Sequence, residues 1–135
     1  HASYEHALPY LDQLDVDVIT VEGATNNGMD LEHFGKLISK DKKIALGVIS
    51  HRTLQVERPE DVADLIRRAL KHIEPERLIL SSDCGFGRGA ASRMHAFYKM
   101  VSLVRGANMV RKELGLDEVY IPATDPQISM VPMAE

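Results

Sequence analysis

Residues 44–85, IALGVISHRTLQVERPEDVADLIRRALKHIEPERLILSSDCG, decide the fold. Residues 44–49 form an uninterrupted apolar run of strand length, and residues 78–80 form another. Between them, Pro59 opens a segment whose apolar residues recur with the 3.6-residue period of a helix, and Pro75 ends it. A strand, a helix and a strand in this order predict two parallel strands joined by a crossover helix.

The same pattern extends in both directions along the chain. Residues 16–21 predict an earlier strand, followed by a short helix over 30–38, and residues 92–114 predict a long helix that Gly115 ends. A first helix is predicted over residues 4–14, although Pro9 lies within it. The sequence therefore predicts an α/β fold with three β/α units and a parallel sheet covered by helices. The apolar residues of the long helix predicted to face inward are Phe97, Met100, Val101, Val104, Ala107, Val110 and Leu114.

The composition restricts the classes of partner. Of the 135 residues, 44% are hydrophobic and 27% are charged, as in ordinary globular proteins. The formal net charge is −4 and no basic face stands out, which argues against nucleic acid or an anionic membrane as a partner. The apolar runs are strand-sized, so we expect no membrane span. The single cysteine excludes an internal disulfide and fits a cytoplasmic protein.

Polar residues follow each predicted strand. In parallel α/β folds ligands bind at the carboxyl ends of the strands, so we expect these residues to meet on one rim. After the first strand come Glu22, Asn26 and Asn27; after the second come Ser50, His51 and Arg52; after the third come Ser82, Asp83, Cys84, Arg88 and Arg93.

The residue pattern alone leaves the chemistry of this rim open. Glu22 is either a functional carboxylate or a rim carboxylate paired with Arg52 or Arg88. Cys84 is either functional or a buried, inert thiol, and His51 is either an acid–base group or a solvated loop residue. The glycine-rich loop 85–89 fits a phosphate-binding loop or a tight turn. No paired ligands of the kind that announce a structural zinc site are present.

A family resemblance rests on four strings that occur in a characteristic order. They are Asp17-Val18-Ile19-Thr20-Val21-Glu22, Ala45-Leu46-Gly47-Val48-Ile49, Glu57-Arg58-Pro59-Glu60-Asp61-Val62 and Glu76-Arg77-Leu78-Ile79-Leu80-Ser81-Ser82-Asp83-Cys84-Gly85. Together they resemble the C-terminal catalytic domain of the cobalamin-independent methionine synthases and their relatives, which include zinc enzymes that alkylate coenzyme M. The resemblance covers roughly residues 10–116.

The resemblance implies that residues 1–116 are the C-terminal portion of a (β/α)₈ TIM barrel, with residues 117–135 as an extension. It also implies a zinc site in which Glu22 and Cys84 are two of four ligands. The family's other two ligands form a His-x-Cys pair that precedes the first helix. His1-Ala2-Ser3 is either an altered remnant of that pair, or the pair lies upstream of a chain that we expect to begin within a longer protein.

The activity implied is zinc-dependent transfer of a methyl group from methyltetrahydrofolate, or a related donor, to the thiol of homocysteine, which forms methionine. His51 lies one position away from the family's catalytic histidine and is the predicted proton donor, while Asp83 and Arg88 are predicted to bind substrate. Two alternatives remain open: an alkyltransferase acting on another thiol such as coenzyme M, and a non-catalytic half-barrel that completes a partner subunit. In each case upstream sequence or another chain would supply the rest of the barrel.

Overall fold

The computed structural model describes residues 3–88, 92–125 and 127, with the backbone alone for Arg88. Three strands alternate with helices, as predicted. In chain order the elements are α1 (Leu8–Leu11), β1 (Val18–Val21), α2 (Leu31–Leu37), β2 (Lys43–Ile49), α3 (Pro59–Ala69), β3 (Leu78–Ser82) and α4 (Arg93–Glu113). Short 3₁₀ turns cover Pro75–Arg77, Phe86–Arg88 and Pro122–Thr124. None of the described helices is both long enough and apolar enough to cross a membrane.

The three strands form a parallel sheet in the order β1-β2-β3. Val21 pairs with Leu46, and Leu46 pairs with Leu80, so the side chains of these three neighbouring residues lie on the same face of the sheet. Leu80 lines an apolar groove with residues of α3 and α4, which identifies this face as the one that the helices cover. A strand order that follows the chain order, with right-handed crossovers, places successive helices on the same face.

The opposite face of the sheet is open in the described chain. Val18 and Ile79 are each 39% exposed there, and Thr20 is exposed as well. Only the middle strand is buried on both faces, since Ala45 and Ile49 are also buried. The predicted cover of helices is therefore present on one face among the described residues, and the second face of β1 and β3 is left partly exposed.

Helix α4 buries only part of the face that its apolar residues predict, since Val101 and Val110 are buried and Val104 and Ala107 pack against the core. Phe97, Met100 and Leu114 are exposed, whereas Lys99 and Gly106 are buried. A Cβ on Gly106 would lie 2.7 Å from Val62 Cβ, so only glycine allows α4 to approach α3 this closely. The buried face of the helix therefore contains a glycine and a lysine that the hydrophobic pattern did not predict, together with Val101 and Val110, which it did.

The ends of the helices follow local chemistry. Helix α1 is shorter than predicted, since Pro9 occupies its first turn instead of its middle. Ser92 precedes α4 and accepts a hydrogen bond from the backbone N–H of His95, and Gly115 follows the helix with a φ of 72°, as a glycine stop requires. The described part of the extension lies against α4, where the Asn108 side chain bonds the backbone N–H and C=O of Val119 at 2.8 and 2.9 Å.

At the amino end of the strands, Arg77 joins α2 to the sheet. Its guanidinium is buried and donates hydrogen bonds to the carbonyl oxygens of Ile38 (3.2 Å), Ser39 (2.9 Å) and Lys42 (2.9 Å). Glu74 accepts from Arg77 at 2.9 Å and from Lys40 at 2.7 Å. This group of contacts therefore holds the end of α2 beside the beginnings of β2 and β3.

We expect the pairing of Glu74 to make stability depend on pH. The hydrogen bond from Lys40, a backbone hydrogen bond and the bond from Arg77 lower the pKa of Glu74 from 4.5 to about 2. Because the folded-state pKa is the lower one, the stabilisation is present above pH 4.5 and is lost as the pH falls towards 2. Urea midpoints measured across this range should fall less steeply in Glu74→Gln than in the unmodified protein.

The matched control for this measurement is Glu76→Gln. Glu76 lies in the same turn, is exposed and takes no part in the hydrogen bonds that Glu74 accepts. A pH dependence that Glu76→Gln reduces as much as Glu74→Gln does would show that the Lys40 and Arg77 contacts are not its source.

Candidate functional site

Three loops meet at the carboxyl edge of the sheet. Glu22 directly follows β1, Ser50 follows β2, and Asp83 and Cys84 follow β3. The strands are parallel and adjacent, so their ends share one rim, and hydrogen bonds join the loop after β1 to the other two. The predicted convergence of these loops is therefore confirmed.

The strongest of these links comes from Asp83, which is buried. Its Oδ1 accepts hydrogen bonds from the backbone N–H groups of Gly23 (2.8 Å) and Ala24 (3.0 Å), and its Oδ2 accepts one from Thr25 (2.6 Å). We call these three bonds the Asp83 bridge. A carboxylate has about four acceptor positions, so three of them are filled by the backbone of a loop two strands away. The bridge fixes the position of that loop relative to β3.

Two glycines make the bridge possible, because Asp83 must reach across the middle strand. A Cβ on Gly47 of β2 would lie 2.1 Å from Asp83 Oδ1 and 2.6 Å from its Cα. A Cβ on Gly23 would lie 2.7 Å from the carbonyl oxygen of Gly47. Real Cβ atoms do not approach other atoms this closely, so any side chain at either position would displace the bridge.

Glu22 and Cys84 lie on either side of this bridge in the sequence. The Glu22 side chain is 29% exposed, and its Oε2 lies 3.9 Å from Nη2 of Arg52. The backbone N–H of Glu22 donates to the hydroxyl of Tyr4 at 3.3 Å. The Cys84 thiol is exposed and free, so it is not the buried, inert cysteine that the residue pattern left open.

The loop after β2 carries His51 and Arg52. Its first residue, Ser50, shares a hydrogen bond of 3.1 Å between its hydroxyl and that of Thr25, which ties it to the loop that Asp83 holds. His51 is half-buried, and its Nδ1 is buried without a hydrogen-bond partner among the described residues. The ring nitrogen is thus shielded from water and has acceptor or donor capacity left over.

Lys99 and Glu57 are residues of this region that the sequence did not reveal. Lys99 Nζ is completely buried and lies 3.0 Å from Glu57 Oε2, below the loop that carries His51. A lysine in the middle of a helix is normally solvated, and Glu57 stood out only as the first residue of one string of the family resemblance, with no role attached to it. The only sequence signal for a buried Lys99 is that Val101 and Leu103 lie close to it in the chain. That these two residues are buried becomes clear only once the packing of α4 is known.

A second buried carboxylate lies near the first strand end. Asp30 accepts hydrogen bonds from the hydroxyl of Ser3 and the backbone N–H of Tyr4 (3.1 Å), and its Oδ1 lies 3.3 Å from His33 Nδ1. Burial raises the pKa of Asp30, but these hydrogen bonds lower it more, so the net pKa lies below its usual value. Asp30 directly precedes α2, and its side chain binds Ser3 and Tyr4 instead of capping the helix.

The donor set fits part of a metal site. Among residues 3–88, 92–125 and 127, no group of three or more His, Cys, Asp or Glu side chains is arranged to hold a metal ion. Glu22 and Cys84 offer a carboxylate and a thiol, which are two of the ligand types that zinc takes. The side chain of Arg88 and all of His1 and Ala2 lie outside the described residues. Among the described residues of this rim, Glu22 and Cys84 are thus a carboxylate and a thiol of the types that zinc takes.

Comparison with known proteins identifies the family. Residues 1–107 match the family described as the cobalamin-independent synthase catalytic domain. The chain belongs to this family. Relatives called methionine synthase include one from Thermococcus kodakarensis, 35% identical over 114 residues, and one from Saccharolobus islandicus, 37% identical over 114 residues. Each alignment covers 84% of this chain and 33% of the relative.

A solved structure has the same fold. It is a B12-independent methionine synthase from Shewanella sp. W3-18-1 in complex with selenomethionine, with a TM-score of 0.73 and 34% sequence identity. The match covers 82% of this chain and 31% of that one. The prediction of an α/β fold, with the three units as the C-terminal part of a TIM barrel, is thereby confirmed. The chain spans about a third of the length of the relatives it matches.

We expect Asp83→Asn to destabilise the protein by about 3 kcal/mol, because the amide would turn an N–H donor towards the backbone donors that the carboxylate accepts. Chemical denaturation monitored by circular dichroism measures this loss. Asp41→Asn is the control, since Asp41 is exposed at the opposite end of the sheet. Equal losses in the two variants would contradict the role of the Asp83 bridge.

A double-mutant cycle with Gly47→Ala tests the crossing of the middle strand. A Cβ at position 47 would lie 2.1 Å from Asp83 Oδ1 and displace the carboxylate, so Gly47→Ala and Asp83→Asn should break the same contacts. We expect the double variant to lose clearly less stability than the sum of the two single losses. Additive losses would mean that Gly47 serves another purpose.

Proposed function

We propose that the protein carries out zinc-dependent transfer of a methyl group from methyltetrahydrofolate, or a related donor, to the thiol of homocysteine, forming methionine. The observation that carries the proposal is the Asp83 bridge. The bridge joins the loop after Glu22 to Asp83, the residue that precedes Cys84, in a chain that belongs to this family. The relatives named methionine synthase and the small-molecule substrates that this name implies support the same reading.

Glu22 and Cys84 are the residues of this chain that would hold zinc. Bound zinc lowers the pKa of a thiol substrate, so that the nucleophilic thiolate is available at neutral pH. Both side chains are accessible from the rim, since Cys84 is exposed and Glu22 is partly exposed. The backbone N–H of Glu22 donates a hydrogen bond to the Tyr4 hydroxyl at 3.3 Å, so Tyr4 lies beside this donor.

The other rim residues have proposed tasks in the transfer. The amine of the folate donor leaves as its bond to the methyl carbon breaks and needs a proton, which we assign to His51. Arg88 would contact anionic groups of a substrate. For Asp83, whose acceptors face the backbone of residues 23–25, we now propose positioning of Glu22 and Cys84 instead of the substrate binding expected from the sequence. The single cysteine supports a cytoplasmic location.

We expect Cys84→Ser to weaken zinc binding by more than about 100-fold, because removing a ligand should exceed the loss from removing an outer-shell partner. Metal analysis and competition with a chromophoric chelator measure the stoichiometry and the affinity. Glu22→Gln should also lower the affinity, whereas Glu32→Gln, an exposed change on α2, should leave it unchanged. Stoichiometric, tightly bound zinc in Cys84→Ser would contradict the assignment.

We expect the intact, zinc-loaded protein, with its barrel completed by upstream sequence or another chain, to form methionine from homocysteine and methyltetrahydrofolate. We expect His51→Ala to lower this rate by about 10²- to 10⁴-fold, the usual contribution of a general acid. Product formation followed by chromatography provides the measurement. His72→Ala is the control, since His72 is exposed beyond α3. A product with coenzyme M but not with homocysteine would favour the alternative thiol, and no product with either would favour a non-catalytic half-barrel.

A further inference from the structure

The buried pair of Lys99 and Glu57 lies beneath the rim and takes no part in the proposed chemistry. Lys99 Nζ contacts Glu57 Oε1 at 3.1 Å and Oε2 at 3.0 Å, and it also donates to the carbonyl oxygens of Ser50 (3.1 Å) and Gln55 (2.7 Å). The lysine side chain is completely buried, and that of Glu57 is 18% exposed. Two carbonyl and two carboxylate oxygen atoms from residues 50–57 thus surround the ammonium group of Lys99.

Stability alone is a poor reason for such a pair. Taking two charges out of water costs as much free energy as their attraction returns, or more, and apolar residues of similar size often stabilise a protein equally well. Removing one partner is costly because the other charge is left buried and unpaired. A pair that adds little net stability still fixes the positions of the groups that bind it, since each buried charge needs its hydrogen-bond partners in place.

The surroundings that this pair specifies are the loop between β2 and α3. Lys99 holds the carbonyl groups of Ser50 and Gln55, which bracket residues 51–54, and Glu57 accepts the backbone N–H of Ser50 at 2.9 Å. Both ends of the segment that carries His51 are therefore attached to one point on α4. The segment itself shows mostly exposed residues, which would otherwise leave it free to move.

The position of this segment matters for the rim. Arg52 lies within 3.9 Å of Glu22, and the hydroxyl of Ser50 shares a hydrogen bond with Thr25, whose backbone N–H donates to Asp83. A shift of the loop would therefore move His51 and Arg52 relative to Glu22 and Cys84. Catalysis is sensitive to displacements of this kind, since about 1 Å of misplacement can cost a factor of about 100 in rate.

We propose that Lys99 and Glu57 are positioning residues that set the place of His51 and Arg52 relative to the donors on the neighbouring strand ends. They act through the backbone of the loop and touch no reacting group. The inference deepens the proposed function and rests on it only for its kinetic consequence. The attachment of the loop to Lys99 is a physical claim that can be tested without any substrate.

The test compares Lys99→Met, Glu57→Gln and the double variant Lys99→Met/Glu57→Leu with the unmodified protein. The double variant removes both charges, so it keeps the test valid where a single variant leaves an unpaired charge and fails to fold. We expect amide hydrogen exchange in residues 51–56 to be at least about tenfold faster, since hydrogen bonds to a charged group are lost. We expect kcat for methyl transfer to fall about 10- to 100-fold, with a much smaller change in KM.

Arg77→Met is the matched control. Arg77 is also a buried cation that donates to three backbone carbonyl groups and a glutamate, but it lies at the amino end of the strands. We expect Arg77→Met to lower the free energy of unfolding while leaving kcat and the exchange of residues 51–56 unchanged. The same loss of kcat in Arg77→Met would mean that any damaged buried cation has this effect, and would overturn the inference.

The remaining outcomes separate the inference from the proposed function. Unchanged hydrogen exchange in residues 51–56 of the folded Lys99 variants would overturn the positioning role, whatever the activity. A protein that shows no methyl transfer before any substitution counts against the proposed function. In that case faster exchange confined to residues 51–56 still supports the attachment of the loop to Lys99.

Discussion

The three hydrogen bonds of the Asp83 bridge determine the geometry of the rim. Parallel strands bring their carboxyl ends to the same edge, but sheet pairing alone leaves the loops beyond that edge free to diverge. Asp83 removes this freedom for the loop after β1 by accepting the N–H groups of Gly23, Ala24 and Thr25. The carboxylate can cross the middle strand only because Gly47 has no Cβ, so the bridge depends on glycine at this position.

Lys99 does for the loop after β2 what Asp83 does for the loop after β1. In both cases a buried charged side chain from one element binds backbone groups of a loop. In both cases a residue with a proposed chemical role lies next to or within the loop that is held, Glu22 in the first and His51 in the second. Ser50 and Thr25 connect the two attachments through their hydroxyl groups. The rim is therefore held by two buried charges, each with several backbone partners, while Glu22, His51 and Cys84 retain capacity for other contacts.

The sequence predicted the strands, their order and the position of the polar residues, because apolar runs and turn residues are local signals. It failed where the answer depends on which elements touch. Phe97 and Met100 are apolar yet exposed, and Lys99 is charged yet buried, because α4 packs through Gly106 on α3. The role of Asp83 was also invisible, since its partners are backbone amides about 60 residues away in the chain. The family resemblance could suggest Glu22 and Cys84 as metal ligands, but it carried no information on which residues keep their loops in position.

The distance along the chain that the Asp83 bridge spans has a consequence for how the protein folds. Its three hydrogen bonds join residues separated by 58–60 positions, and such contacts form late because the entropy of closing a long loop must first be overcome. The loops that carry Glu22 and Cys84 are therefore joined only after all three strands have paired. An ion held by both side chains would bind the folded chain in preference to the unfolded one, and its binding energy would add to the energy that keeps the chain folded.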